Sequence, residues 1–106
     1  MTPDQASPDV ASESIDHFLH HVLNLGLGAV GGSVHIHCTD VAGEWTIREV
    51  DGGFDVTREH AKGDCAIRGA ANDIFGVLRR DMPLSSVDVV GDAAVAARFV
   101  AASTLP

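Results

Sequence analysis

The chain has 106 residues, 45% of them hydrophobic, which fits one globular domain and leaves no room for two. Seven Lys and Arg stand against 15 Asp and Glu, for a net charge of −8, and apart from Arg79-Arg80 the basic residues are scattered; this excludes nucleic acid and anionic membrane surfaces as expected partners. Aromatics are four Phe, one Trp and no Tyr, so the core is expected to rest on Val, Ile, Leu and Ala, and so thin a core gains from a ligand or a second copy.

Residues 1–11, with two prolines and two aspartates, read as a polar tail, and residues 12–106 as a single domain. Ser12 or Ser14 is the expected N-cap of a first helix, in which Ile15, Phe18, Leu19, Val22 and Leu23 follow the spacing of one buried face. His17, His20 and His21 fall on or beside its polar side, and four glycines between Leu25 and Gly32 end it near Asn24 or Leu25. From Ser33 to Thr39 the pattern alternates, with Val34, Ile36 and Cys38 on one face and His35, His37 and Thr39 on the other. After a turn at residues 40–43, Trp45–Val50 and Phe54–Arg58 form a hairpin about Asp51-Gly52-Gly53. Lys62-Gly63-Asp64 is a second turn and Cys65–Arg68 a fourth strand, and three consecutive strands joined by short turns imply an antiparallel meander.

The period then changes. Ala71, Ile74, Phe75 and Leu78 predict a helix closed by Arg79-Arg80 and stopped by Met82-Pro83. Val87–Val90 is a fifth strand, and Asp92 caps a last, Ala-rich helix running to Ala102. The order α-β-β-β-β-α-β-α predicts an α+β fold with an antiparallel-rich five-stranded sheet covered by about three helices.

Cys38 and Cys65 are not closely spaced and fit no disulfide framework or zinc knuckle, so both are expected as free, buried thiols. The first dozen residues are polar rather than apolar, and the apolar-leaning stretch 23–34 is broken by Asn24, four glycines and Ser33. No secretory leader and no membrane span are expected, and the setting is cytoplasmic.

Three constellations carry chemistry. His35 and His37 share a strand face with Asp40 close behind, a partial set for a divalent metal; without a nearby fourth ligand or an HExxH helix, no metal is expected and the pair reads as lining a less buried face, a small-molecule pocket or an interface. His17, His20 and His21 have helical metal-ligand spacing but lack a suitably placed acidic partner, and read as a solvated or interface cluster. Arg68, at a strand-to-helix junction, either clamps an anionic ligand or forms a surface ion pair with Asp64, Asp73 or Glu49. No GxSxG elbow, Walker A loop or GxGxxG is present, and no catalytic residue is assigned.

The stretches VHIHCTDVAGEW (34–45), DCAIRGAANDIFGVLRRD (64–81) and VDVVGDAAVAARF (87–99), taken together and in order, resemble the C-terminal domain of the mycothiol-dependent maleylpyruvate isomerase family. The last also resembles sterol carrier proteins, whose fold that domain is thought to share. The resemblance implies a sterol-carrier-like domain, which in two-domain enzymes accompanies a DinB-type helical bundle holding the metal; this chain has no room for the bundle, so no metal and no cofactor are expected here. Two readings follow: a stand-alone module whose apolar cavity near Trp45, Phe54, Phe75 and Phe99 holds a small hydrophobic or thiol-linked ligand, or an accessory subunit completing a mycothiol-dependent isomerase or transferase with a separate DinB-type partner. Small size and surface histidines add a third, a structural or regulatory homodimer. The segment between the late helix and last strand, cut to residues 81–86, argues against a large lipid tunnel.

Overall fold

The computed structural model describes residues 7–22, 30–51 and 53–102. Several expectations lie outside the described residues: Leu23, the helix end near Asn24 or Leu25, the glycine-rich connection as far as residue 29, and Gly52 of the hairpin.

The first helix, α1 (Pro8–His17), starts earlier than expected. Its N-cap is Ser7, whose Oγ accepts the Val10 N–H at 3.4 Å, and Pro8 takes the first helical position, where its missing N–H costs nothing. Residues 8–11, expected as tail, are therefore helical, and Ser12 and Ser14 are interior. Ser12 is buried with its hydroxyl donating to the Ala42 carbonyl at 2.9 Å, while Ser14 donates back to Val10 at 2.9 Å. A wider π-helical turn (Phe18–Val22) continues α1 and keeps Phe18 and Leu19 in the core.

Five strands follow the expected segments: β1 (Val34–Cys38), β2 (Glu44–Val50), β3 (Gly53–Thr57), β4 (Cys65–Gly69) and, after the helix α2 (Ala71–Leu78), β5 (Asp88–Gly91). The helix α3 (Ala93–Ala102) closes the domain. The expected α+β class and element order hold, and three of the four strand pairings are antiparallel. The expected three-strand meander is β1–β2–β3. The sheet order is β3-β2-β1-β4-β5, with β4 parallel to β1 rather than hairpinned to β3. Parallel neighbours need a crossover, and residues 58–64 supply it. The hairpin glycine Gly53 has an ordinary φ and pairs with Val50.

All three helices lie on one face. Along β1, Val34, Ile36 and Cys38 point inward to meet Ile47, Trp45, Ile67 and Cys65 from neighbouring strands, with Ile15, Leu19, Ile74 and Phe99 above them. Cys38 and Cys65 are free, buried thiols, as expected. The expected cap on α3 is present: Asp92 Oδ1 accepts the N–H groups of Ala94 at 3.0 Å and Val95 at 3.2 Å. Among the described residues, the opposite face of the sheet carries no helix and is crossed by the 58–64 connection, where the Thr46 hydroxyl donates to the Glu59 carbonyl at 3.2 Å. No described helix is long and apolar enough to cross a membrane.

Candidate functional site

Two places have the makings of a site, one on each side of the sheet. On the helix side, α1 packs against α2, and their meeting leaves a cavity of about 290 Å³ lined by Val10, Glu13, Ser14, His17, Phe18 and Phe75. Val10, Ser14 and His17 recur at helical spacing on α1, so one stripe of that helix faces the gap. The Phe18 and Phe75 rings meet edge to face, 6.5 Å apart at 80°, and the Arg79 guanidinium lies 4.8 Å from the Phe75 centroid. Val10 is half exposed.

On the helix-free side, strand register builds a row of side chains. His37 stands opposite Glu44 on β2 and in register with Arg68 on β4, which in turn faces Asp88 on β5. One row along, His35 lies between Thr46 and Ala66. The crossover then brings His60 down onto this face. Glu44 Oε1 receives His37 Nδ1 at 2.9 Å and His60 Nδ1 at 2.8 Å, with His35 Nε2 at 3.5 Å. The His35 ring stacks edge-on against His60, 5.1 Å away, and against His37 at 5.8 Å. At 3.5 Å the Glu44 contact is not a hydrogen bond, and His35 Nε2 is buried with no hydrogen-bond partner. Burial pushes the His35 imidazolium pKa down, an effect that Glu44 only partly offsets. The His60 hydrogen bond holds the Glu44 carboxyl below its usual range. A second cavity of about 440 Å³ adjoins this cluster, with His35, His60, Lys62, Asp64 and Val90 on its walls.

The residues singled out in the sequence therefore do not form one site. His35, His37 and Arg68 share the helix-free face, Phe75 lines the helix-side cavity, and Trp45 and Phe99 are fully buried core residues. Phe54 packs half-buried against the core. Arg68 is exposed and makes no ion pair among the described residues, with Asp64, Asp73, Glu49 or any other carboxylate. Asp40 does not join His35 and His37; its Oδ1 instead accepts the Ala71 N–H at 3.0 Å, at the start of α2. In the other histidine group, His17 stacks on His21 at 4.9 Å and His20 Nε2 lies 3.4 Å from Asp16. The sequence reading missed Glu44 and His60. Glu44 was within reach, because a hairpin turn over 40–43 puts it opposite His37; His60 carries no local sign, because only the crossover brings it there.

Among solved structures, the chain resembles a protein titled UbiJ-SCP2 ubiquinone synthesis protein, at 16% identity and a TM-score of 0.60, covering 94% of this chain and 93% of that one. It also resembles sterol carrier protein domain 2 of Helicoverpa armigera, at 13% identity and a TM-score of 0.53, covering 89% and 80%. The fold is that of a sterol carrier protein domain. No family model and no curated protein matches the chain, so the isomerase family resembled by its sequence is not shown. The helix-side cavity is lined mainly by apolar surface, and the opposite face of the sheet by the histidine cluster and Arg68.

Proposed function

We propose that the chain is a small binding module for an apolar molecule, seated between α1 and α2. The observation carrying this reading is the cavity walled by Phe18, Phe75 and Val10 on a sterol-carrier scaffold. The names of the two structural neighbours speak of a sterol carrier and of ubiquinone synthesis, which supports an apolar ligand here by analogy of fold. The volume sets the scale: about 290 Å³ is at the lower edge of small-molecule pockets, room for a short chain or one ring system, with any remainder outside. Burying roughly eight methylenes at ~0.8 kcal/mol each corresponds to a Kd of tens of micromolar at best. Glu13 on the lining and a net charge of −8 favour an uncharged head group over a carboxylate.

Titration of the isotope-labelled protein with decanol and with decanoate, followed by amide NMR shifts, tests the proposal. Saturable shifts around Val10, Phe18 and Phe75, stronger for decanol and weakened in Phe75→Ala, are expected. The absence of saturable shifts for both probes, or shifts confined to the helix-free face, refutes it.

A second reading, the accessory subunit of a mycothiol-dependent reaction, draws on the helix-free face. Arg68 is exposed, in register with His37 and without an ion pair among the described residues, so it is available to an anionic group at an interface. Co-purification with a DinB-type bundle, lost in Arg68→Ala, supports that role. For a homodimer, edge strand β5 with half-exposed Val90 is the surface on which to look, and light scattering across a dilution series decides it.

A further inference from the structure

We infer that His35, His37, Glu44 and His60 form a binding site for a divalent transition-metal ion of the zinc class, on the helix-free face of the sheet. One ligand atom from each of the four lies within 4.8 Å of every other. Four donors around zinc at about 2.0–2.1 Å stand roughly 3.4 Å apart, so closing the set requires movements of about an ångström. His60, three-quarters exposed, and His37, about one-third exposed, have the freedom to make them.

Exposed clusters of histidine around a carboxylate occur without metal, and two features distinguish this one. The first is His35: its side chain is 8% exposed, and its Nε2 points at the cluster without a hydrogen bond. A buried polar group left unpaired is destabilising, and a bound cation would satisfy it. The second is convergence. The donors come from β1, the start of β2 and the 58–64 crossover, and three imidazoles are drawn round a single carboxylate oxygen.

The donor chemistry selects the ion. Three imidazoles and one carboxylate suit zinc and its first-row neighbours, whereas calcium and magnesium need mostly oxygen ligands. Four protein donors complete a tetrahedron, the arrangement of a site that holds a metal rather than one that keeps a position open for a substrate. Because three donors precede the crossover and one lies on it, the ion would also pin residues 58–64 to the sheet.

The test is calorimetric titration of chelator-treated full chain with Zn²⁺, alongside the visible spectrum with Co²⁺. One equivalent should bind, Co²⁺ should give tetrahedral d–d absorption, and the melting temperature should rise with Zn²⁺. His60→Ala should weaken binding at least ~10-fold, the loss typical even of an outer-shell partner, and the His37→Ala/His60→Ala double variant should abolish it. Both are solvent-facing changes, so circular dichroism should show the fold intact. The His17→Ala/His21→Ala variant controls for the other histidine group and should bind as the unchanged chain does. No one-to-one binding, or binding that survives the His37/His60 double change, overturns the assignment, as does loss of binding in the His17/His21 variant.

Discussion

The indole N–H of Trp45 donates to Asp16 Oδ1 across 2.9 Å, joining the second strand to the first helix. The ring is fully buried, while Asp16 is about one-third exposed. The same oxygen lies 3.5 Å from Arg58 Nη1, and the Arg58 guanidinium sits 5.4 Å from the indole centroid. One carboxylate thus serves α1, β2 and the start of the crossover.

Asp16→Ala leaves the buried indole donor unpaired and should destabilise the fold by about 1–3 kcal/mol, whereas Asp16→Asn keeps an acceptor and should cost less than about 1 kcal/mol. Urea unfolding followed by Trp45 fluorescence measures both. Equal losses for the two variants would show that charge, rather than the hydrogen bond, matters at this position.

Gly91 has φ +87°, and a Cβ there would stand 2.6 Å from the Asp64 carbonyl oxygen. Gly91→Ala should therefore cost more than about 2 kcal/mol, from backbone strain together with the displacement of β5 from β4. Gly53 is the contrast, with no heavy atom within 4 Å of an added Cβ. Gly53→Ala should be neutral or stabilise by up to about 1 kcal/mol through the unfolded chain. Thermal melts of the two variants give the comparison, and similar melting temperatures would contradict it.

Removing the Asp92 cap strips acceptors from two N–H groups of α3. Asp92→Ala should lower stability by about 0.5–2 kcal/mol, with Asp92→Asn recovering most of the loss. Faster hydrogen exchange should be confined to the first turn of α3; exchange unchanged there would remove the capping role.

Burial, with Asp92 and Asp64 nearby, pushes the Cys65 thiol from its ordinary 9.0 up to about 11. The unfolded chain therefore releases this proton first as pH rises. The thiol's contribution is complete below pH 9 and is lost as pH climbs through 11, about 3 kcal/mol in all. Cys65→Ala should show a shallower decline in stability between pH 9 and 11 than the unchanged chain. Parallel curves would mean that other groups drive the alkaline loss. Cys38, raised to about 11 mainly by its own burial, should behave the same way.

Much of this was legible in the residues. The alternation of Val34, Ile36 and Cys38 against His35 and His37 marked both faces of β1, because side-chain direction along a strand has a period of two. The helical spacing of Ala71, Ile74 and Leu78, and the Asp92 cap, were equally local. The start of α1 was hidden because its first turn is polar around Pro8, so the apolar stripe begins a turn after the helix does. The place of the cavity expected near Trp45, Phe54, Phe75 and Phe99 was not legible: sequence marks a large aromatic as buried but does not tell a packed core from a cavity wall, and the structure buries Trp45 and Phe99 in the core while Phe75 lines the helix-side cavity.

The sequence by itself determined the α+β class, the order of the elements and which face of β1 meets the helices, since these follow from local periodicity, caps and turns. Tertiary structure alone decided that β4 lies parallel beside β1, and so that Arg68 joins the row of His37 and Glu44 and that His60 reaches His35. The pairing of β4 depends on where the crossover carries the chain, a long-range choice governed by burial of Cys65 and Ile67 against the core, and no short stretch of residues encodes it.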